Sequence, residues 1–217
     1  LEVGPREVGR SSPARGERGG TVILVLAALL GAIALRALSQ QAIVTYVPKF
    51  YQDLGQSPAM YGAVLSLFLA AVATGGVLGS YLADRLGLGR VLVASLLATA
   101  GALWGFVELS GAASQAALII GGFFLGPSHT LLLVSGHRRF PQRMAMASGV
   151  FLGFGFVSGA AGTWLLGLLA DRTGLASTLR LVPVIVLANA LLALLVTIVG
   201  RPASEPAEVQ ASVAHGA

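Results

Sequence analysis

The sequence predicts an all-α integral membrane protein with six transmembrane helices. Of its 217 residues, 55% are hydrophobic and only 11% are charged, whereas a soluble domain carries about 25% charged residues. Six apolar segments have lengths near the ~20 residues that a helix needs to cross a bilayer. They cover residues 21–50, 59–82, 90–108, 113–136, 144–169 and 178–200. A single water-soluble core could not bury so much apolar surface, so the surrounding solvent is predicted to be lipid.

Short polar stretches separate the six segments and define the predicted domains. Residues 1–20 form a basic cytoplasmic linker, residues 21–200 form the six-helix transmembrane unit, and residues 201–217 form a cytoplasmic tail. The tail is rich in Ala, Pro and Glu and is predicted to be disordered. The chain starts with Leu1 and an Arg-rich stretch that lacks the order of a signal peptide. We therefore expect it to be a fragment whose upstream part is missing.

The distribution of Lys and Arg predicts how the chain is oriented in the membrane. Counted over the loops and the span ends, ten of these residues lie on the side that holds both termini. Three lie on the other side, namely Lys49, Arg172 and Arg180. Because the basic side is cytoplasmic, both termini are predicted to lie in the cytoplasm, with the protein crossing the plasma (inner) membrane several times. Trp104 and Trp164 fall near the outer ends of their spans, as an aromatic belt requires.

One seven-residue pattern occurs twice, as "LADRLGL" at residues 82–88 and as "LADRTGL" at residues 169–175. The two copies are 87 residues and three spans apart, so the second copy is inverted relative to the membrane. Inverted repeats of three plus three helices recur in secondary transporters. The alternative interpretation is that Asp-Arg-x-Gly is a common helix-ending turn that this chain uses twice.

The residues around the first copy resemble the signature loop of the major facilitator superfamily. They are Gly75, Gly79, Asp84, Arg85, Gly87 and Arg90. In the signature a basic residue directly follows the glycine that matches Gly87. Here Leu88 and Gly89 stand between Gly87 and Arg90. Residues 21–200 are similar to the C-terminal half of fosmidomycin-resistance-type efflux proteins. This resemblance implies half of a twelve-helix transporter fold and secondary active transport of a small solute by alternating access. It further implies drug or small-anion efflux by proton antiport, with an N-terminal transmembrane half as partner.

The repeated loop is predicted to act as a gate. Its residues in the first copy are Gly79, Asp84, Arg85, Gly87 and Arg90, and in the second copy Asp171, Arg172 and Gly174. A glycine at position 87 permits the left-handed turn that ends a helix. Asp84 is predicted to pair with Arg85 or Arg90, or to face the positive end of a neighbouring helix. A contact of this kind that forms in one conformation alone would be a two-state latch, and the resemblance places its partner in the other half.

Arg36 lies midway along the first span, where a cation costs about 2.5–3.5 kcal/mol on insertion scales. Ser39, Gln40 and Tyr46 share its helix face by three- and four-residue spacing. A lipid-facing guanidinium at this depth is implausible, so these four residues are predicted to line a cavity and contact an anionic solute. The alternative role for Arg36 is structural, as an ion pair or a carbonyl clamp to another part of the protein.

His129 lies in a polar patch of the fourth span and is a candidate to bind solute or carry a proton, since imidazole titrates near neutral pH. The alternative is a neutral imidazole that is hydrogen-bonded to an adjacent helix. Asn189 is predicted to form hydrogen bonds between helices. Glycines of the second, fourth and fifth spans are spaced for close helix packing, and those of the fifth span could instead provide flexibility.

Several function classes are excluded by what the sequence lacks. It has no cysteine, no phosphate-binding loop, no Ser-His-Asp set and no cluster of metal-ligating residues. We therefore predict no enzyme activity, cofactor or metal. The net charge of +5 is spread between apolar segments rather than along one face, which argues against nucleic-acid binding. The competing hypothesis is a six-helix membrane scaffold or assembly subunit that transports nothing.

Overall fold

Helices account for every secondary-structure element in the described part of the chain. The computed structural model describes residues 17–137 and 144–199. Its helices are α1 (Glu17–Asp53), α2 (Pro58–Leu86), α3 (Leu88–Glu108), α4 (Gly111–His137), α5 (Met144–Thr173), α6 (Leu175–Leu179) and α7 (Leu181–Val199). Six stretches are long and apolar enough to cross a membrane, the last of them combining α6 and α7. The predicted all-α class is confirmed.

The boundaries of the six stretches differ from the predicted spans by at most four residues. The first helix begins at Glu17, within the stretch predicted as a linker. The remaining linker residues 1–16, the connection 138–143 and the predicted tail lie outside the described residues.

Both copies of the repeated motif end a helix in the same way. Gly87 has φ 94° and Gly174 has φ 87°, a backbone conformation that glycine adopts at little cost. Each glycine N–H donates to the carbonyl four residues earlier over 2.9 Å, at Ala83 and at Ala170. Each glycine carbonyl then accepts the first hydrogen bond of the next helix over 3.2 Å. The sequence repeat is therefore also a structural repeat.

The packing of the helices has the symmetry of an inverted repeat. Helix α2 packs against α4 as α5 packs against α1, and α3 packs against α4 as α7 packs against α1. Helices α3 and α7 also contact each other. Exchanging α1–α3 with α4–α7 thus leaves the pattern of contacts unchanged. Because an odd number of spans separates equivalent helices, the two halves run in opposite directions, as in the half-units of secondary transporters.

Glycines let α2 and α4 approach until their backbones touch. A Cβ atom at Gly75 would collide with the backbone carbonyl of Phe123, and one at Gly126 would collide with the backbone of α2 at Val72. On α5, a Cβ atom at Gly159 would lie 3.3 Å from the carbonyl oxygen of Ala37 on α1, a tight contact without a collision, whereas Gly149 and Gly153 face open space. Close packing therefore explains the glycines of α2 and α4 and part of the α5 series.

Asn189 departs from its predicted role. Its side chain is fully buried in α7, and neither amide atom has a hydrogen-bond partner among the described residues. The neighbouring positions on its own helix, Val186, Ala190 and Ala193, are apolar core residues. The predicted hydrogen bond between helices is not formed.

Candidate functional site

Four helices line a cavity of about 710 Å³ that is open on one side, a volume within the range of small-molecule sites. Its lining residues come from the middle of α1, the second halves of α2 and α4, and the first half of α5. Because consecutive spans run in opposite directions, these segments all extend from mid-depth toward one end of the bundle. That end carries the Gly87 turn.

The polar side chains of the cavity come mainly from α1 and α4, with one from α2. They are Arg36, Gln40, Gln41, Ser80, His129 and Thr130. No Asp or Glu lines the cavity within the described ranges. The carboxylates with described side chains lie instead at helix ends, at Asp53, Asp84, Glu108 and Asp171. The cavity is therefore electropositive.

Arg36 is held at the cavity with its charge uncompensated. Arg36 as a whole is 8% exposed. Its Nη2 donates to Oε1 of Gln40, one turn further along α1, over 2.6 Å. Its Nε is buried without a hydrogen-bond partner. Within residues 17–137 and 144–199, ion pairs join Lys49 to Asp53 and Arg180 to Glu108, and neither includes Arg36. Within those residues the guanidinium thus has a neutral amide as its hydrogen-bond partner and no counter-charge.

The depth of Arg36 follows from its position in α1. It lies 13 residues from Ile23 and 17 residues from Asp53, the ends of its membrane stretch. At 1.5 Å per residue these separations are about 20 and 25 Å along the helix axis. The cation is therefore too far from either end for its side chain to reach the water beyond the bilayer.

The structure brings Arg36, Gln40 and His129 together at the cavity but places Ser39 and Tyr46 elsewhere. Ser39 is fully buried, and its hydroxyl donates to the carbonyl of Leu35 over 2.8 Å, a bond that short side chains readily form on helices. The hydroxyl of Tyr46 donates to the backbone carbonyl of Thr163 on α5 over 2.6 Å. Both side chains therefore make structural contacts in this conformation.

The contact of Tyr46 with α5 leads to a testable expectation. Tyr46→Phe removes one hydrogen bond between α1 and α5 and should lower the free energy of unfolding by about 0.5–1.5 kcal/mol. Because Tyr46 does not line the cavity, solute affinity should stay within about twofold. Thermal unfolding and ligand titration of the purified protein measure the two effects. A large loss of affinity with unchanged stability would instead place Tyr46 in the binding site.

Three polar residues of the cavity were missed by sequence reasoning. Gln41 could have been predicted from its position beside Gln40, and Thr130 from the polar patch around His129. Nothing in the sequence distinguishes Ser80 from other helical serines, which commonly bond to their own helix. Its hydroxyl does so here, donating to the carbonyl of Gly76 over 2.8 Å. Its place at the cavity depends on how α2 is rotated against α4.

The predicted gate loop lies at the bundle end nearest the cavity. Asp84, Arg85 and Arg90 are exposed, and the predicted pair of Asp84 with Arg85 or Arg90 is not formed in the described part of the chain. Arg85 instead contacts Tyr81, one turn earlier in α2, with its guanidinium carbon 4.8 Å from the centre of the ring. This leaves the Asp84 carboxylate free to meet a partner outside this unit.

The second copy of the loop lies at the opposite end of the bundle. Asp171 and Arg172 are exposed there at the end of α5, and within the part that the structure describes they join no ion pair. The same part contains no group of three or more His, Asp or Glu side chains placed to hold a metal ion.

A six-helix inverted repeat around a cavity with a mid-depth cation defines a class, the half-unit of a secondary transporter. The sequence model of the Major Facilitator Superfamily matches residues 29–215, so the chain belongs to this superfamily and the predicted resemblance is confirmed. It is a multi-pass membrane protein. The chain is 33% identical over 156 residues to the fosmidomycin resistance protein of Escherichia coli (strain K12). The matched part is 71% of this chain and 38% of that relative, so the chain spans little more than a third of the relative's length.

Proposed function

We propose that this chain forms one half of a secondary transporter that exports a small anionic solute by alternating access in exchange for protons. The observation that carries the proposal is Arg36, a cation at mid-depth that faces a cavity and has no counter-charge in the described chain. Charges inside membrane spans default to functional roles because of their cost. An anion that binds in the cavity would supply the missing charge. No enzymatic role is proposed.

The partner in this proposal is a second, N-terminal transmembrane half. The matched relative is far longer than this chain, and the cavity has walls from one six-helix unit only. Val77 and Phe156 line it and are 73% and 77% exposed. Apolar surface of this kind is uncovered in the isolated unit, and a second unit packed opposite would enclose the solute site between the halves.

The orientation proposed for this unit follows from its charges. With both termini in the cytoplasm of the cell, at the plasma (inner) membrane, the Gly87 end of the bundle is cytoplasmic. The cavity then extends from mid-depth toward the cytoplasm, as an inward-facing site would. Asp84 would latch the other half on this side, and Asp171 would occupy the equivalent place on the outer side.

The proton in the proposed exchange needs a titratable carrier. His129 is the lining residue whose side chain titrates near neutral pH in water, and no carboxylate of the described chain lies at the cavity. The coupling proton is therefore carried either by His129 or by an acid of the other half.

Export from vesicles tests the proposal. The intact protein is reconstituted into liposomes with an acidic lumen, and the uptake of fosmidomycin is followed, because the matched relative is named for resistance to that drug. Accumulation that depends on the pH gradient and collapses with a protonophore supports proton antiport. Equal uptake with and without the pH gradient would contradict antiport. If neither fosmidomycin nor any other anion tested crosses the membrane, the result would favour the non-transporting scaffold.

A further inference from the structure

The walls of the cavity differ in their chemistry. Helices α1 and α4 carry Arg36, Gln40 and His129, whereas every lining residue of α5 is apolar or glycine. The side chains of this α5 wall are Phe151, Leu152 and Phe156. Helix α5 contacts both α1 and α4, so the apolar wall lies beside the polar one. The cavity therefore has a charged side and a hydrophobic side.

The size of the cavity exceeds what a small hydrophilic anion needs. About 710 Å³ is the volume of sites that hold drug-sized ligands. If such an anion bound alone, the α5 wall would stay in contact with water, which is unfavourable in proportion to its apolar area. Phe156 is 77% exposed in the isolated unit, so the described helices leave most of its ring uncovered.

The charge of the cavity sets the charge of the ligand. Arg36 is its one fixed positive charge within the described residues, and no carboxylate offsets it. Gln40 accepts from one Nη2 donor, and no carboxylate of the described chain pairs with the guanidinium. A single anionic group matches this arrangement, since guanidinium N–H groups form their strongest hydrogen bonds with ionised oxygens.

We propose that the solute is an amphiphilic monoanion, whose charged group binds Arg36 and whose apolar portion, of the size of an aromatic ring system, packs on the α5 wall. This inference rests on the proposed function for the existence of a solute, and it adds the chemical class. The other occupant that could cover Phe156 is the second transmembrane half. If that half packed directly on Phe156 instead of enclosing the space beside it, no room would be left for an apolar portion of the ligand.

Three probes separate the two parts of such a ligand. Naphthalene-2-sulfonate carries both a ring system and a single negative charge, methanesulfonate carries the charge alone, and naphthalene-2-sulfonamide carries the ring system without the charge. Their affinities for the purified intact protein are measured by titration calorimetry. We expect naphthalene-2-sulfonate to bind at least about tenfold more tightly than either of the other two. Equal affinities for the two sulfonates would overturn the apolar contact, and equal affinities for sulfonate and sulfonamide would overturn the anion contact.

Variants assign the two contacts to their walls. Arg36→Gln should weaken both sulfonates by at least about tenfold and leave the sulfonamide within twofold. Phe156→Ala should weaken both naphthalene probes by about three- to tenfold and leave methanesulfonate unchanged. Phe154→Ala is the matched control, because Phe154 lies on the same helix and does not line the cavity. If Phe154→Ala and Phe156→Ala behave alike, the α5 wall is not the site of the ring.

The proposed function and this inference fail in different ways. The three-probe comparison uses the wild-type protein, so it gives an answer even where a variant fails to fold. If naphthalene-2-sulfonate binds as expected but no solute crosses reconstituted vesicles, transport is wrong and the chemical class of the ligand stands. If vesicles transport an anion with no preference for a ring, transport stands and the amphiphilic class is wrong.

Discussion

Arg36→Ala is expected to reduce export by on the order of 100-fold or more while leaving the abundance of the protein in the membrane unchanged. Its uncompensated charge makes this guanidinium the strongest contact available to an anion in the cavity. Removing one partner of a buried charged contact costs about 2–5 kcal/mol of binding. The same change removes an unpaired cation from the membrane interior, so it should not lower the stability of the folded protein. Export from cells and quantitative immunoblotting of membranes measure the two quantities.

Arg180→Ala provides the control for this prediction. Arg180 is likewise an arginine, but it lies at a helix end, its side chain is 62% exposed and its pair with Glu108, at 3.5 Å, lies at the surface. Exposed ion pairs contribute about 0–1 kcal/mol, so both export and abundance should stay close to those of the wild type. A parallel loss of export and abundance in Arg36→Ala would show that Arg36 holds the fold together.

Gly75→Ala is expected to destabilise the fold strongly, although it adds a single methyl group. The added carbon would collide with the backbone carbonyl of Phe123 on α4, and backbone atoms cannot rotate away as side chains do. Overpacking of this kind costs about 1–3 kcal/mol and occasionally more. The unfolding temperature of the purified protein and its yield from membranes should both fall.

The matched control is Gly101→Ala, in the apolar span of α3. A Cβ atom there meets nothing within 4 Å, and alanine favours a helix over glycine by about 1 kcal/mol in peptides. This variant should be neutral or slightly more stable. If the two variants had equal stability, the close approach of α2 and α4 would not be the contact that holds the bundle.

Most of the fold could be predicted because its causes are local. The length of each apolar segment determines where a helix crosses the bilayer, and the glycine of each "LADRxGL" copy determines where a helix ends. The repeat predicted the inverted symmetry before any contact was known. The failure at Asn189 has a different origin. Whether a buried amide finds a partner depends on which groups of other helices face it, and in the described chain neither amide atom of Asn189 has one.

The site could be predicted in part. A cation at mid-depth identified the wall of α1, because its cost in lipid needs no knowledge of neighbouring helices. Ser39 and Tyr46 share its face by spacing, yet they bond to Leu35 and to Thr163 instead of facing the cavity. Spacing of three or four residues selects a broad face, and the rotation of α1 against α5 decides which part of it is covered. The apolar α5 wall was not foreseen, since phenylalanine and leucine are equally suited to face lipid.

Labelling of single thiols tests most directly whether water reaches Arg36 at mid-membrane. The chain contains no cysteine, so Arg36→Cys and Gln41→Cys can be probed with a membrane-impermeant methanethiosulfonate, with Leu195→Cys as the control. Leu195 is 52% exposed on α7 and does not line the cavity. We expect the thiols at positions 36 and 41 to react at least about tenfold faster than the thiol at position 195. If both cavity positions were as unreactive as position 195, no aqueous cavity would exist there and a solute site at Arg36 would be ruled out.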